Sequence, residues 1–181
     1  FWRRGFWVDY VPRDVADRLV EAGAQTSIHA AAALGLEETV REMLEADPSL
    51  VSAPGGDAGT PLHFARTVEV AQLLIDAGAD LDARDEDHNS TPARWRIKVS
   101  PDVTRLLLER GAQPDVFLAA GLGDVDIARA CIETTPECVT YRIGVNSGPF
   151  AGIRYEDLGG TILQWTLGCN QSPPEIAKRR G

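Results

Sequence analysis

The chain offers few side chains whose type and spacing suit catalysis or metal binding. Its three cysteines and three histidines are spread over 181 residues, and none stands in the paired spacing that holds zinc. The sequence also lacks a glycine-flanked serine elbow, a phosphate-binding loop that ends in Lys and Ser or Thr, and a His-Glu-x-x-His helix. We therefore predict that the chain is not an enzyme, and that it holds no metal and no cofactor.

Two of the cysteines have an apolar counterpart 88 positions earlier in the sequence. Cys131 corresponds to Met43, and Cys138 corresponds to Leu50. We therefore expect both thiols to fill apolar positions of a core rather than to act as nucleophiles. Cys169 has no such counterpart, so its role stays open.

An acidic segment runs from Asp76 to Asp87 and contains a single basic residue, Arg84. A calcium-binding loop needs ligands at fixed positions, and a loop that starts at Asp80 places Arg84 at a ligand position and Asp85 where glycine is required. A loop that starts at Asp85 fails similarly. The segment is therefore interpreted either as a solvated finger or as an acidic contact surface for a basic partner.

The charge balance argues against nucleic acid as a partner. Acidic residues outnumber basic residues by 27 to 18, which gives a net charge of −9 and a pI of about 4.8. Charged residues interrupt every apolar stretch well before the roughly 20 residues that a membrane span needs, and no signal peptide is recognisable. The odd number of cysteines argues against a disulfide scaffold and therefore favours a cytoplasmic protein. Charge and apolar pattern together predict that its partner is neither a nucleic acid nor a membrane. The chain begins with Phe1 rather than Met, so we expect it to be a piece of a longer protein.

The sequence contains an internal duplication. Residues 11–51 align with residues 99–139 at a shift of 88 positions, with 16 identities over 41 positions. A finer period of about 33 residues separates Gly78 from Gly111 and Ser27 from Thr60. Such periods indicate a solenoid, in which stacked units bury the apolar faces that no single unit can bury alone.

Each repeat has the pattern of a pair of helices. In the segment 67–78, the apolar residues at positions 70, 71, 74 and 75 share one helical face, and Gly78 favours a left-handed stop. The segments 13–23 and 101–111 repeat this pattern. Before the segment 67–78, Thr60 supplies a hydroxyl cap and Pro61 stands at the first helical position of another helix. The sequence therefore predicts an all-α fold.

The segment Thr60-Pro-Leu-His-Phe-Ala65, followed by Leu73-Leu74 and Gly78-Ala79-Asp80, resembles the ankyrin repeat family. The resemblance extends to first helices at 28–35 and 116–123, and so covers most of the chain. It implies an all-α, ankyrin-type helix-turn-helix solenoid with short β-hairpin fingers. In such an array the fingers and the inner helices form a binding groove for a protein partner. The resemblance also implies that His63 ties neighbouring turns together.

The resemblance implies a single ankyrin-repeat solenoid over residues 1–181. We expect this solenoid to be an irregular array of bacterial type and a fragment of a longer protein. Its units are 1–23, 24–58, 59–88, 89–112, 113–160 and a partial unit 161–181, with an enlarged loop at 140–160. From Leu62 to Val70 is 8 residues, against 12 from Ile28 to Val40, so the unit at 59–88 has lost about one helical turn. The truncated last unit leaves an apolar face uncovered, and we expect fraying or self-association there.

The candidate partner-binding residues are charged and aromatic side chains of the finger, the following helix and the enlarged loop. They are Arg84, Glu86, Asp87, His88, Arg94, Tyr141, Phe150, Arg154 and Tyr155. For the rings of the loop, contact with a partner and packing against the flank of the array both stay open. For the basic residues Arg94, Arg96 and Lys98, neutralisation of the acidic segment is the simple interpretation.

One repeat position, two residues after the Leu62 position, carries an aromatic residue in several units: Trp7, Phe64, Trp95 and Trp165. Recurrence at one position indicates packing between units rather than a ligand cage. The sequence as a whole predicts a protein-protein interaction module. The alternative is a recognition or spacer segment of a larger multidomain enzyme or regulator.

Overall fold

The structure is a computed structural model that describes residues 13–86, 90–97 and 99–140. Within these ranges the chain is helical and contains no β-strand. The described residues belong to two compact units, one with residues 13–83 and 91–112, the other with residues 84–86, 90 and 113–140. The predicted all-α, ankyrin-type fold is confirmed by the helix pairs described next.

The helices of the first unit belong to successive pairs, and each complete pair consists of a short first helix followed by a longer second helix. Its described helices are α1 (Arg13–Glu21), α2 (Ile28–Leu34), α3 (Glu37–Ala46), α4 (Pro61–Phe64), α5 (Val68–Asp76), α6 (Pro92–Arg96) and α7 (Pro101–Glu109). Short 3-10 helices at Pro48–Ser52 and Gly56–Ala58 connect α3 to α4. Most of these boundaries follow from Pro at the first helical turn and Gly after the last.

These helices pack in two rows. Helices α2, α4 and α6 pack on one another in sequence order, and α3, α5 and α7 form the second row. Each first helix also packs on the second helix that follows it, as in the pairs α2 with α3 and α6 with α7. The side chains between the rows, among them Leu62, Leu74 and Leu107, are fully buried. Stacking of repeats therefore provides the core that one helix pair lacks.

Helix α4 is the shortest of the described α-helices, with four residues against seven in α2. This confirms the prediction that the repeat at residues 59–88 has lost about one helical turn. A helix of one turn has almost no stability by itself, so it depends on its cap and its neighbours. The Thr60 backbone N–H donates to His63 Nδ1 at 2.9 Å, and the His63 ring is fully buried and lies edge-on to Trp95 of α6 at 6.1 Å. His63 thus joins its own first turn to the next repeat.

Polar contacts also tie successive repeats of the first unit together. The Arg66 backbone N–H donates to the Ala32 carbonyl at 3.1 Å, and the Ser100 hydroxyl donates to the Arg66 carbonyl at 2.9 Å. Each of these hydrogen bonds joins one repeat to its neighbour. The backbone at Arg66 is therefore held from both sides.

The second unit contains one described helix pair, α8 (Val116–Leu122) and α9 (Val125–Thr134), followed by a 3-10 helix at Pro136–Thr140. Helix α9 packs on both α8 and the 3-10 helix. The Asp115 carboxylate caps α8 by accepting from the Leu118 backbone N–H at 2.8 Å. Phe117 and Cys138 are buried in this unit.

The glycines that end α2 and α8 occupy equivalent positions of the duplication but have different surroundings. Gly35 has a φ of +71° and Gly123 a φ of +68°, a region that disfavours side chains. A Cβ atom on Gly35 would lie 2.9 Å from Thr67 Cγ2, whereas a Cβ atom on Gly123 would meet nothing within 4 Å. The Thr67 side chain caps α5 through the Val70 backbone N–H, so its displacement would also loosen that helix.

We expect Gly123→Ala to cost about 1 kcal/mol of unfolding free energy, because only the left-handed backbone is strained. Gly35→Ala should cost at least about 1 kcal/mol more, because the methyl group also collides with Thr67. Urea denaturation of both variants, followed by circular dichroism, measures the difference. Equal losses would show that Thr67 moves away at no cost.

Candidate functional site

The finger after α5 consists of turns in its described residues. In the first unit, the Asp80 carboxylate accepts from the Asp82 backbone N–H at 2.9 Å, which closes a turn. In the second unit, the Asp85 carboxylate accepts from the Ser90 backbone N–H at 2.7 Å, and the Asp85 backbone N–H donates to the Ser90 carbonyl at 3.2 Å. Asp85 is only 3% exposed. Hydrogen bonds of Asp85 therefore join residue 85 to residue 90.

The candidate residues Arg84 and Glu86 flank this buried carboxylate, and both are exposed. Burial of Asp85 between two exposed charged residues was not predicted, because the acidic segment shows no periodicity that would separate inward from outward positions. Arg94 is half-buried on α6 in the first unit, whereas Arg84 and Glu86 belong to the second. Six further candidates lie outside the described residues: Asp87, His88, Tyr141, Phe150, Arg154 and Tyr155.

Three half-buried rings form a row along the first helices of the first unit. The His29 ring of α2 lies 5.7 Å from the Phe64 ring of α4, and the Phe64 ring lies 5.3 Å from the Trp95 ring of α6, both edge-on. Packing between units at the shared aromatic position is thereby confirmed for Phe64 and Trp95, while Trp7 and Trp165 lie outside the described residues. The participation of His29 was missed, because the shortening of α4 shifts the register between repeats.

The two described histidines are used by the fold. His29 Nε2 lies 2.8 Å from the Ala53 carbonyl, and His63 Nδ1 accepts the capping bond from Thr60. Within the part of the chain that the structure describes, no three His, Cys, Asp or Glu side chains are grouped as a metal ion would require. His88 lies outside that part.

The described cysteines are partly or fully shielded from solvent and have thiols with raised pKa values. Cys138 is buried, and Cys131 is half-buried on α9. Burial raises the pKa of Cys131, with smaller contributions from Cys138 and Asp115, and burial followed by the charge of Glu137 raises the pKa of Cys138. A raised pKa lowers the thiolate fraction, so these thiols are poor nucleophiles. Cys169 lies outside the described residues.

Arg96 is a buried cation at the end of α6, which the sequence did not reveal. The side chain is only 8% exposed, and one guanidinium nitrogen, Nη1, donates to the Phe64 carbonyl at 3.4 Å. Burial, and then the charge of Arg66, lower the pKa of Arg96 from its usual value to about 10. The simple interpretation that Arg96 neutralises the acidic segment does not fit this position, because its nearest described partner is a backbone carbonyl.

None of the helices that the structure describes combines the length and apolar character needed to cross a membrane. This agrees with the absence of long apolar runs in the sequence.

Comparison with known proteins identifies the repeat. The ankyrin repeat family model matches residues 59–86. The chain is 43% identical over 54 residues to the serine/threonine-protein kinase VIK of Arabidopsis thaliana, covering 28% of the chain and 12% of that protein. It is 32% identical over 94 residues to the mouse ankyrin repeat and SAM domain-containing protein 6, covering 50% of the chain and 10% of that protein.

A third similar protein is the human fem-1 homolog C, 31% identical over 90 residues, which covers 44% of the chain and 15% of that protein. The chain thus spans only a small part of the length of each of these relatives. The matched residues 59–86 include α4, with its Thr60–His63 capping box, and α5 with its Gly78 stop. The chain therefore carries an ankyrin repeat at residues 59–86, and its described residues have the all-α, ankyrin-type fold.

Proposed function

We propose that this chain is a protein-interaction module that binds a protein partner through its finger and its first helices. The observation that carries the proposal is the position of Arg84 and Glu86, both exposed, on either side of the buried Asp85 carboxylate. Residues 84–86 are held by the hydrogen bonds of Asp85, and a segment that is held in place loses little conformational entropy on binding. Its two opposite charges favour a partner with complementary charges and disfavour others.

The ring row of the first unit supports the same function. His29, Phe64 and Trp95 are each half-buried, so each ring is anchored by packing and still offers part of its surface. Anchored aromatic side chains are the residue type that contributes most to protein interfaces. The likeness to ankyrin repeats, which are generally protein-protein interaction modules, also supports this function.

The test is affinity capture from the source cells with quantitative mass spectrometry. The wild-type chain is compared with an Arg84→Glu/Glu86→Arg variant, which keeps the net charge but exchanges the two finger charges. An Arg18→Glu/Glu42→Arg variant is the matched control, because both residues are exposed on other helices. We expect at least one protein that wild type and control retain equally and that the finger variant retains about tenfold less. If all three chains retain the same proteins equally, the finger is not the contact surface.

The second candidate function is a recognition or spacer segment of a larger enzyme or regulator. It is favoured by the small share of each similar protein that the chain covers, 12% in the case of the kinase. Determination of the complete open reading frame in the source organism tests it. A catalytic region in the same reading frame would favour this candidate, and further repeats alone would favour the first.

We also propose a cytoplasmic location and self-association through residues 161–181, which lie outside the described residues. Self-association is tested by light scattering of the full chain and of a chain that ends at Thr140. A mass that depends on concentration only in the full chain supports self-association.

Fluorescence microscopy of the tagged protein tests the proposed cytoplasmic location.

A further inference from the structure

Arg96 is buried in the first unit and has no charged partner among the described residues. Its Nε is buried and has no hydrogen-bond acceptor within the described residues. Its single described hydrogen bond, from Nη1 to the Phe64 carbonyl, is long at 3.4 Å. Buried guanidinium groups normally form short, charge-assisted hydrogen bonds to carboxylates, because the desolvation of the charge is otherwise uncompensated.

Among the described residues, the charge that acts on Arg96 has the same sign. Arg66 lies close enough for its charge to disfavour the protonated form of Arg96. Four other described arginines, namely Arg41, Arg105, Arg110 and Arg129, each form an ion pair with a carboxylate. None of the described carboxylates forms an ion pair with either of these two guanidinium groups, although the chain contains 27 acidic residues. Within the described residues, the pair is therefore a positive centre that no carboxylate neutralises.

The backbone around the pair is rigid, while one of the two side chains can be reached from solvent. Hydrogen bonds to Ala32 and Ser100 hold the Arg66 backbone on both sides, and its side chain is half-buried. Arg96 is fixed on α6 next to Trp95 and bonds to the backbone of Phe64. The backbones of both residues are therefore fixed before an anion binds, and an anion approaches the pair from the side of the half-buried Arg66.

We propose that Arg66 and Arg96 form a binding site for a carboxylate carried by a protein segment, next to the apolar surface of Phe64 and Trp95. This inference rests on the proposed protein-binding function and specifies the chemistry of the partner. Guanidinium groups match the planar carboxylate through two parallel hydrogen bonds. The net charge of −9 disfavours a polyanion, so the ligand is a single acidic side chain beside an apolar one.

The test is a titration of the uniformly ¹⁵N-labelled chain, observed at the Arg96 Nε–H signal by NMR. The probe is a short synthetic peptide with capped termini that carries a single Glu beside a Leu among uncharged residues, and the control peptide has Gln in place of that Glu. We expect a saturable shift of the Arg96 signal with the Glu peptide and none with the Gln peptide. The Arg96→Lys variant assigns the signal.

Two variants separate this site from general charge effects. Arg66→Gln should weaken binding of the Glu peptide about tenfold or more, because one charged hydrogen-bond donor is lost. Arg105→Gln removes an exposed arginine of α7 from the same unit, and should leave binding unchanged. Equal responses to both peptides, no response, or equal losses in both variants would overturn the proposal. Saturation by inorganic phosphate without a response to the Glu peptide would replace the carboxylate by phosphate and also overturn it.

The stability of Arg96→Met distinguishes a binding role from a structural one. If the arginine serves a ligand, its removal relieves the buried charge, and the melting temperature stays the same or rises. A lower melting temperature would assign Arg96 to the packing of α4 against α6 and contradict the proposal. If these tests fail while the finger variant loses its partner, the carboxylate site alone is overturned. If these tests succeed while the finger variant retains its partners, the finger is not a contact surface.

Discussion

Replacement of Leu107 by alanine is expected to lower the unfolding free energy of the first unit by about 2–5 kcal/mol. Leu107 is 0% exposed, and its helix α7 packs on both α5 and α6. Truncation removes apolar contacts and leaves a cavity that the surrounding helices only partly fill. Urea denaturation followed by far-ultraviolet circular dichroism measures the loss.

The internal duplication provides the control for this experiment. Leu19 stands 88 positions before Leu107, in the corresponding place of the duplicated helix, but it is 56% exposed on α1. We therefore expect Leu19→Ala to change the unfolding free energy by less than about 1 kcal/mol. Equal losses in the two variants would mean that both copies of the helix are equally buried in solution.

The second large effect is expected for His63→Ala, at about 3–4 kcal/mol. The His63 ring is fully buried and lies edge-on to Trp95, so its removal leaves a cavity between α4 and α6. The variant also deprives the Thr60 backbone N–H of its acceptor at 2.9 Å, in a helix of only four residues. Amide hydrogen exchange at Leu62 and Phe64 should accelerate more than exchange in α3.

A conservative variant separates the two contributions. His63→Gln keeps an acceptor at the third helical position, where Gln is a usual partner in capping boxes. We expect this variant to regain about 1 kcal/mol relative to His63→Ala. If both variants are equally unstable, the packing of the ring and not the capping bond stabilises α4.

The candidate site was less accessible to sequence reasoning than the helices. Exposure of Arg84 and Glu86 agrees with the expectation for a variable finger, but the burial of Asp85 between them depends on its hydrogen bonds with Ser90. The sequence pattern also made Arg96 one member of a basic helix. Its burial follows from the packing of α6 on α4, which is a contact between residues 32 positions apart.

What the sequence by itself determined is the set of local structures. The Thr60–Pro61 start and the Gly78 stop, with a φ of +92°, follow from steric limits on single residues and from hydrogen bonds within one turn. The same holds for the short α4, because the spacing between its cap and the next helix leaves no room for a second turn.

What only the tertiary structure decided is which of two equivalent residues is buried. Val15 and Val103 are identical in type and repeat position, yet Val15 is 56% exposed and Val103 is 1% exposed. Helical periodicity places both on the apolar face of their helix, but burial also requires a neighbouring helix to cover that face. Helices α5 and α6 cover α7, whereas no helix packs as extensively on α1 within the described residues.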